Sequence, residues 1–87
     1  MDNILLNMDI DTHIPHKVVA CVIGAHRGNP GSGVAMVETD REYVIWTIHL
    51  NRVTNRWDAS MGQYVPLGHL DTAEDTYKAR LFTQIDA

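Results

Sequence analysis

The stretch EYVIWTIHLNRVTNRWDASMGQYV, residues 42–65, determines the fold that this sequence predicts. In its first part Val44, Trp46 and Ile48 share one parity, which is typical of a half-buried β-strand. The polar segment NRVTN (51–55) turns the chain, and RWDASMGQYV (56–65) returns as a second strand. If the connection preserves the parity, one face of this hairpin carries Val44, Trp46, Ile48, Trp57, Ala59, Met61 and Val65, as cross-strand packing requires.

Three further strands are predicted before this hairpin. VAMVETD (34–40) is a short strand that ends in a tight turn at Asp40–Arg41. The run from Val18 to Ile23 is continuously apolar and rich in β-branched residues, which predicts a central strand with both faces covered. Residues 4–11 alternate with period two, apart from Leu5, and this pattern indicates an amphipathic strand.

The segment DTAEDTYKARLFTQIDA (71–87) is the one clear helix. Asp71 or Thr72 can cap it, and a stripe recurs every four residues at Ala73, Tyr77, Leu81 and Ile85. We expect the helix to cover the sheet face that carries Trp46 and Trp57. The predicted fold is therefore α+β, a meander-like antiparallel sheet of about five strands with one C-terminal helix packed on one face.

The composition describes one small globular domain, residues 1–87. Eleven acidic residues against seven basic ones give a net charge of −4, which argues against a nucleic-acid partner that needs clustered Lys and Arg. The single cysteine, Cys21, allows no internal disulfide. With no signal-peptide pattern and no long apolar run, the sequence predicts a cytoplasmic protein without a membrane partner.

The stretch GNPGSGVA (28–35) has the glycine spacing of a P-loop, with Gly28 and Gly33 in place. A P-loop needs Lys and then Ser or Thr after the second glycine, and a helix after them. Here Val34 and Ala35 follow, and the next segment is strand-like. We therefore interpret the stretch as a hairpin loop, and the sequence predicts no nucleotide or other cofactor.

The stretch DIDTHIPH (9–16) concentrates Asp9, Asp11, His13 and His16, which are possible ligands for zinc, manganese or iron. A small metal-dependent enzyme built on these four residues is one alternative function. The simpler interpretation is a solvent-facing side of a strand followed by a turn. On this interpretation the sequence predicts no metal site. Cys21 lies in an apolar strand, and a thiol buried in apolar surroundings is inert. The sequence therefore predicts no catalytic residue and no enzymatic activity.

The hairpin stretch HLNRVTNRW (49–57) places His49, Arg52, Arg56 and Trp57 close together in sequence. Arginine and aromatic residues are enriched at protein-binding hot spots, and these four are the candidate partner-binding residues. The same Arg52, Arg56 and Trp57 could stack on single-stranded bases, which gives a nucleic-acid-binding module as a second alternative.

The C-terminal half of the chain resembles a loose class of short bacterial and phage α+β proteins without known function. Those proteins share a Tyr-Val-x-Trp strand, a hairpin, a Trp-x4-Gly-x-Tyr strand and an acidic-capped helix. The positions that match are Tyr43, Trp46, Trp57, Gly62, Tyr64 and Asp75. The resemblance implies an α+β fold and a small accessory protein of the kind that phages carry, and it transfers no site.

The sequence therefore predicts a small non-enzymatic module that acts by protein–protein contact, such as a phage-type inhibitor or adaptor of a host protein. One helix covers one sheet face only, yet the run from Val18 to Ile23 is apolar on both faces. Either the sheet curves into a partial barrel or a second subunit covers the other face. We expect the second subunit, and hence a homodimer, because unpaired edge strands invite pairing.

Overall fold

A computed structural model of the chain describes residues 10–11, 15–24 and 30–86. The elements, in chain order, are β1 (Ile10–Asp11), β2 (Lys17–Ile23), β3 (Ser32–Glu38), β4 (Glu42–Asn51), β5 (Arg56–Pro66) and α1 (Leu70–Asp86). Within these described ranges no helix combines the length and apolar character needed to cross a membrane.

The sheet has the order β1-β5-β4-β3-β2. Strands β2 to β5 form an antiparallel meander, and the two residues of β1 pair in parallel with Trp57 and Asp58 of β5. The predicted α+β class, antiparallel meander and C-terminal helix are confirmed. Of the predicted first strand, residues 4–9 lie outside the described part of the chain.

The helix covers the face opposite to the one predicted. Ala73, Tyr77 and Leu81 share an apolar cluster, here called the helix cluster, whose buried members are Val34, Met36, Ile45, Val65 and Ala73. The other face carries the tryptophan cluster, whose buried members are Ile10, Val18, Ala35, Val37, Val44, Trp46 and Ile48. The period-two alternation of β4 assigns its side chains to the two sheet faces correctly. It does not determine which of the two faces the helix covers.

The tryptophan cluster is buried within a single chain. Its members come from both ends of the sheet, Ile10 from β1 and Val18 from β2, and none is more than 5% exposed in the single chain. The ring of His16 covers Trp46 edge-on, with a centroid separation of 5.8 Å. This apolar face is therefore covered within one chain, contrary to the expectation that a second subunit covers it, and the homodimer itself stays a prediction.

Strand β2 is the terminal strand of the described sheet, although its apolar run predicted a central position. Its side chains still meet both interiors, since Val18 belongs to the tryptophan cluster while Val19 and Ala20 pack against the helix cluster. An irregularity in the register between Val18 and Ala20 lets two consecutive residues, Val19 and Ala20, face the same cluster. A strand at the end of a sheet can therefore be apolar on both sides when both faces are covered.

A β-bulge in β5 changes which face its residues occupy. Ile45 pairs with Gln63 and Thr47 with Ser60, so Trp46 lies opposite two residues, Met61 and Gly62. The extra residue reverses the alternation. Ala59 therefore packs on the tryptophan cluster while Val65 is buried in the helix cluster, and the single shared face predicted for Trp57 through Val65 is wrong.

Gly33, the last glycine of the stretch, allows two strands to lie close together. Gly33 belongs to β3 and pairs with Ile23 and Ile48, so a strand follows the glycines, as predicted. A Cβ atom at this position would lie 2.4 Å from the backbone oxygen of Val22. The missing side chain thus allows β2 to approach β3 closely at this position.

The helix begins earlier than predicted. It starts at Leu70, and the amide of Ala73 donates to the carbonyl oxygen of His69 at 3.0 Å. His69 therefore occupies the capping position, and Asp71 and Thr72 lie in the first turn. The acidic side chain of Asp71 still suits the positive end of the helix dipole.

Candidate functional site

The hairpin between β4 and β5 extends beyond the rest of the sheet. Ser32, the first residue of β3, pairs with His49, whereas β4 continues to Asn51, which pairs with Arg56. The four residues 52–55 form the turn. Residues 51–56, here called the hairpin tip, therefore lie past the last residue of β4 that pairs with β3.

One asparagine fixes the conformation of the hairpin tip. The Oδ1 atom of Asn51 accepts hydrogen bonds from the backbone amides of Val53 at 2.9 Å and Thr54 at 3.3 Å. The amide of Asn55 donates to the Asn51 carbonyl at 2.7 Å, and Asn55 takes the left-handed conformation with φ of 58°, which asparagine tolerates well. The Nδ2 atom of Asn51 in turn donates to Asp58 at 3.3 Å, so the turn is tied to β5.

The hairpin tip exposes an apolar side chain at its apex. Val53 is 95% exposed, more than any other large apolar residue of the described chain. Arg52 and Arg56 are also exposed. The tip thus presents a valine between two cationic side chains on a backbone that is already ordered.

The structure separates the four predicted binding residues. Arg52 and Arg56 belong to the hairpin tip, and His49 is exposed on β4, directly opposite Asp58. Trp57 pairs with Leu50 and Ile10 and packs against the tryptophan cluster. Trp57 is therefore partly buried by packing, and the binding role of His49, Arg52, Arg56 and Trp57 stays a prediction.

Sequence reasoning missed the most exposed residue of this site. Val53 stands as one apolar residue inside the polar turn NRVTN, where it has no strand partner and no core to enter. The asparagines on either side of this turn were a usable signal, since Asn favours side chain-to-backbone turns and the left-handed conformation. Together they indicated an ordered turn with a valine at its apex.

The other predicted sites are not assembled by the described residues. Asp9 and His13 lie outside the described ranges, the structure gives only the backbone of Asp11, and the ring of His16 packs on Trp46. Among the residues that are described, no three His, Cys, Asp or Glu side chains come close enough to hold a metal ion. The metal-dependent alternative consequently finds no support in this part of the chain.

Cys21 lies in β2, as predicted, and is partly buried beside the tryptophan cluster. Burial raises the pKa of its thiol from the ordinary 9.0 to about 11. A thiol with a raised pKa is a poor nucleophile at neutral pH. Its position therefore agrees with a packing role.

No protein-family model matches this chain, and the curated proteins and the solved structures gave no match either. The resemblance of the C-terminal half to short bacterial and phage proteins therefore stays a hypothesis. The candidate site consequently has to be interpreted from its own geometry.

Proposed function

We propose that this protein is a small non-enzymatic binding module and that the hairpin tip is its contact surface. The observation that carries the proposal is a fully ordered turn holding a valine that is 95% exposed. An inhibitor or adaptor of a host protein, of the kind phages encode, is the biological role that the proposal predicts.

The physical reason lies in what the tip offers to a partner. Burying a valine side chain contributes about 1.5–3 kcal/mol. In a flexible loop, the entropy lost on ordering would offset part of this free energy. The hydrogen bonds of the Asn51 side chain already order this turn before binding. Arginines beside the apolar apex add charged contacts of the type found at hot spots.

The proposal is tested by photo-crosslinking from the tip. A benzophenone amino acid is placed at position 54, where the native Thr54 is exposed, and the full chain is irradiated in an extract of the source cells. The matched control carries the same amino acid at position 78, since Lys78 is exposed on α1. We expect a discrete crosslinked protein from position 54 that is absent from position 78 and is lost when Val53→Asp is added.

Two results would contradict the proposal. Identical crosslinking patterns from positions 54 and 78 would show that the tip is no special surface. A pattern that survives Val53→Asp unchanged would show that the exposed valine takes no part in contact.

A further inference from the structure

Charge is distributed unevenly along the direction of the strands. The sequence from Tyr43 to Trp57 contains no Asp or Glu, and it includes the exposed Arg52 and Arg56. The nearest acidic residue along β5, Asp58, accepts a hydrogen bond from Asn51. Residues 51–56 are therefore cationic on a protein whose net charge is −4, and the next acidic residues are Asp58 and Asp11, which pairs with it in β1.

Acidic residues gather at the opposite end of the sheet. There β3 turns into β4 and β5 leads into α1, and Glu38, Asp40, Glu42 and Asp71 lie in or next to these two connections. The pairing of Glu42 with Pro66 and the hydrogen bond from the Leu67 amide to the Arg41 carbonyl, at 3.3 Å, fix the two connections side by side. Basic residues at this end are Arg41 and Lys17, and Lys17 pairs with Glu38 in the sheet.

The same end exposes apolar surface. Leu67 is 37% exposed and Leu70 is 43% exposed, and Asp71 follows Leu70 directly. We call the surface formed by Asp40, Glu42, Leu67, Leu70 and Asp71 the acidic end. It combines exposed leucines with carboxylates, as the hairpin tip combines an exposed valine with guanidinium groups.

We infer that the hairpin tip of one copy of this chain docks on the acidic end of a second copy. The inference rests on the proposed function, because it takes the tip as a contact surface and names its partner. Val53 would pack on Leu67 and Leu70, while Arg52 and Arg56 face the carboxylates. Both halves of the contact, apolar and charged, are supplied by this one sequence.

The two surfaces lie at opposite ends of β4, from Glu42 to Asn51, which separates them by roughly 30 Å. At physiological salt this exceeds the screening length of about 8 Å, so the two charges do not neutralise each other within one chain. A contact between different surfaces is heterologous and repeats from copy to copy instead of closing a pair. The expected product is a head-to-tail chain of molecules.

The test is sedimentation of the purified full chain over a range of concentrations. Since a contact of this size is small, weak association is expected, and the series extends to about 1 mM. We expect the average mass to rise past that of a dimer without a plateau, and to return to that of the monomer in about 1 M salt, where screening acts within 3 Å.

Complementation separates this arrangement from other modes of association. A tip variant, Arg52→Glu with Val53→Asp, and an end variant, Asp40→Lys with Asp71→Asn, should each be monomeric. Mixed together they should form a one-to-one dimer and nothing larger, because one tip and one acidic end remain intact. Lys78→Glu is the matched charge reversal and should associate like the native chain, and circular dichroism checks that every variant is folded.

Three results would overturn the inference. They are a native chain that stays monomeric throughout, a tip variant that still associates, or a mass that stops at two copies. The proposed function fails separately, since a monomeric chain that crosslinks a different protein from position 54 keeps the tip as a contact surface and removes only the second copy as its partner.

Discussion

At the scale of single residues, two buried hydroxyl groups stand out. Ser32 and Thr47 are 1% and 2% exposed, and neither side-chain oxygen has a hydrogen-bond partner among the described residues. Burial of an unpaired hydroxyl costs about 1–3 kcal/mol. The unpaired hydroxyl groups of Ser32 and Thr47 therefore lower the stability of the native protein.

Thr47→Val should stabilise the protein by about 1 kcal/mol. Valine keeps the branched shape that packs in β4 but removes the hydroxyl group without a partner. Thr47→Ser is the matched control, because it keeps the hydroxyl and deletes the methyl group, and it should destabilise. Urea unfolding of the three chains gives both values, and a less stable Thr47→Val would mean that the hydroxyl does have a partner in solution.

Gly33→Ala should destabilise the protein by about 2–3 kcal/mol. The added Cβ would sit 2.4 Å from the Val22 oxygen, a backbone atom that cannot move unless β2 shifts. Gly62→Ala is a graded comparison, since its Cβ would meet side-chain atoms, the Trp46 Nε1 at 2.9 Å and the Tyr64 hydroxyl at 3.0 Å. Side chains adjust more easily than backbone, so the Gly62 variant should lose less stability in the same unfolding experiment, and the reverse order would contradict the role assigned to Gly33.

At the scale of elements, hydrogen bonds from a side chain of α1 hold the bulge in β5. Met61 lies in the left-handed region with φ of 52°. Arg80 of α1 donates from Nη1 to the carbonyl oxygens of Met61 at 2.6 Å and Ile45 at 3.2 Å, and from Nη2 to Gln63. Partial burial lowers the pKa of this guanidinium, and the carbonyl oxygens compensate for the water that it loses.

Met61→Gly should stabilise the protein by up to about 1 kcal/mol, because glycine adopts the left-handed conformation without the cost that a side chain carries. Little packing is lost, since Met61 is 64% exposed. Ser60→Gly, one residue earlier in extended strand, is the matched control and should destabilise by a similar amount. Equal effects of opposite sign in thermal unfolding would locate the strain at the bulge, and a destabilising Met61→Gly would show that the methionine side chain is required.

Most of the elements could be predicted from the sequence, because they depend on local alternation. The two faces of β4 were readable in this way, Val44 and Trp46 against Tyr43 and Ile45. The bulge at Met61 was not, since one extra residue leaves no mark in the composition, and Val65 was consequently placed on the wrong face. The side covered by α1 and the terminal position of β2 depend on the path of the whole chain, which period-two patterns do not contain.

The candidate site was predictable only in part, for a similar reason. The Arg-rich hairpin follows from its residue types, so the sequence places Arg52 and Arg56 at an exposed turn. The partial burial of Trp57 could not be predicted, because its partner strand includes Ile10 of β1, a pairing between distant parts of the sequence. Val53 becomes informative only when its 95% exposure is known.

At the scale of the whole molecule, one chain encloses two apolar interiors, one on each side of a single sheet. Cys21 packs beside the tryptophan cluster and Tyr77 beside the helix cluster, so these two weak acids report on the two interiors. Burial raises the pKa of Tyr77 from 10.0 to about 12, and the nearby Cys21 contributes a smaller part of that rise. Both groups are neutral in the folded protein over a range of pH in which the unfolded chain already ionises them.

The protein should therefore lose stability in alkali. The contribution of these two groups is fully present well below pH 9, where both are protonated in the folded and in the unfolded chain. It is lost as the pH rises from the unfolded value of 9.0 for Cys21 through the folded values of about 11 for Cys21 and about 12 for Tyr77. Urea unfolding measured in steps from pH 8 to pH 12 should show the midpoint falling throughout the upper part of that range. The phenolate absorbance of Tyr77, obtained as the difference between the native chain and Tyr77→Phe, should appear together with unfolding. Tyr77→Phe and Cys21→Ala each remove one ionisation, so each should make the urea midpoint decrease less steeply with pH. The double variant should show the smallest decrease. Each chain is compared with its own midpoint at neutral pH. If the double variant falls as steeply as the native chain, the alkaline transition has another origin and the two acids are not buried as the structure places them.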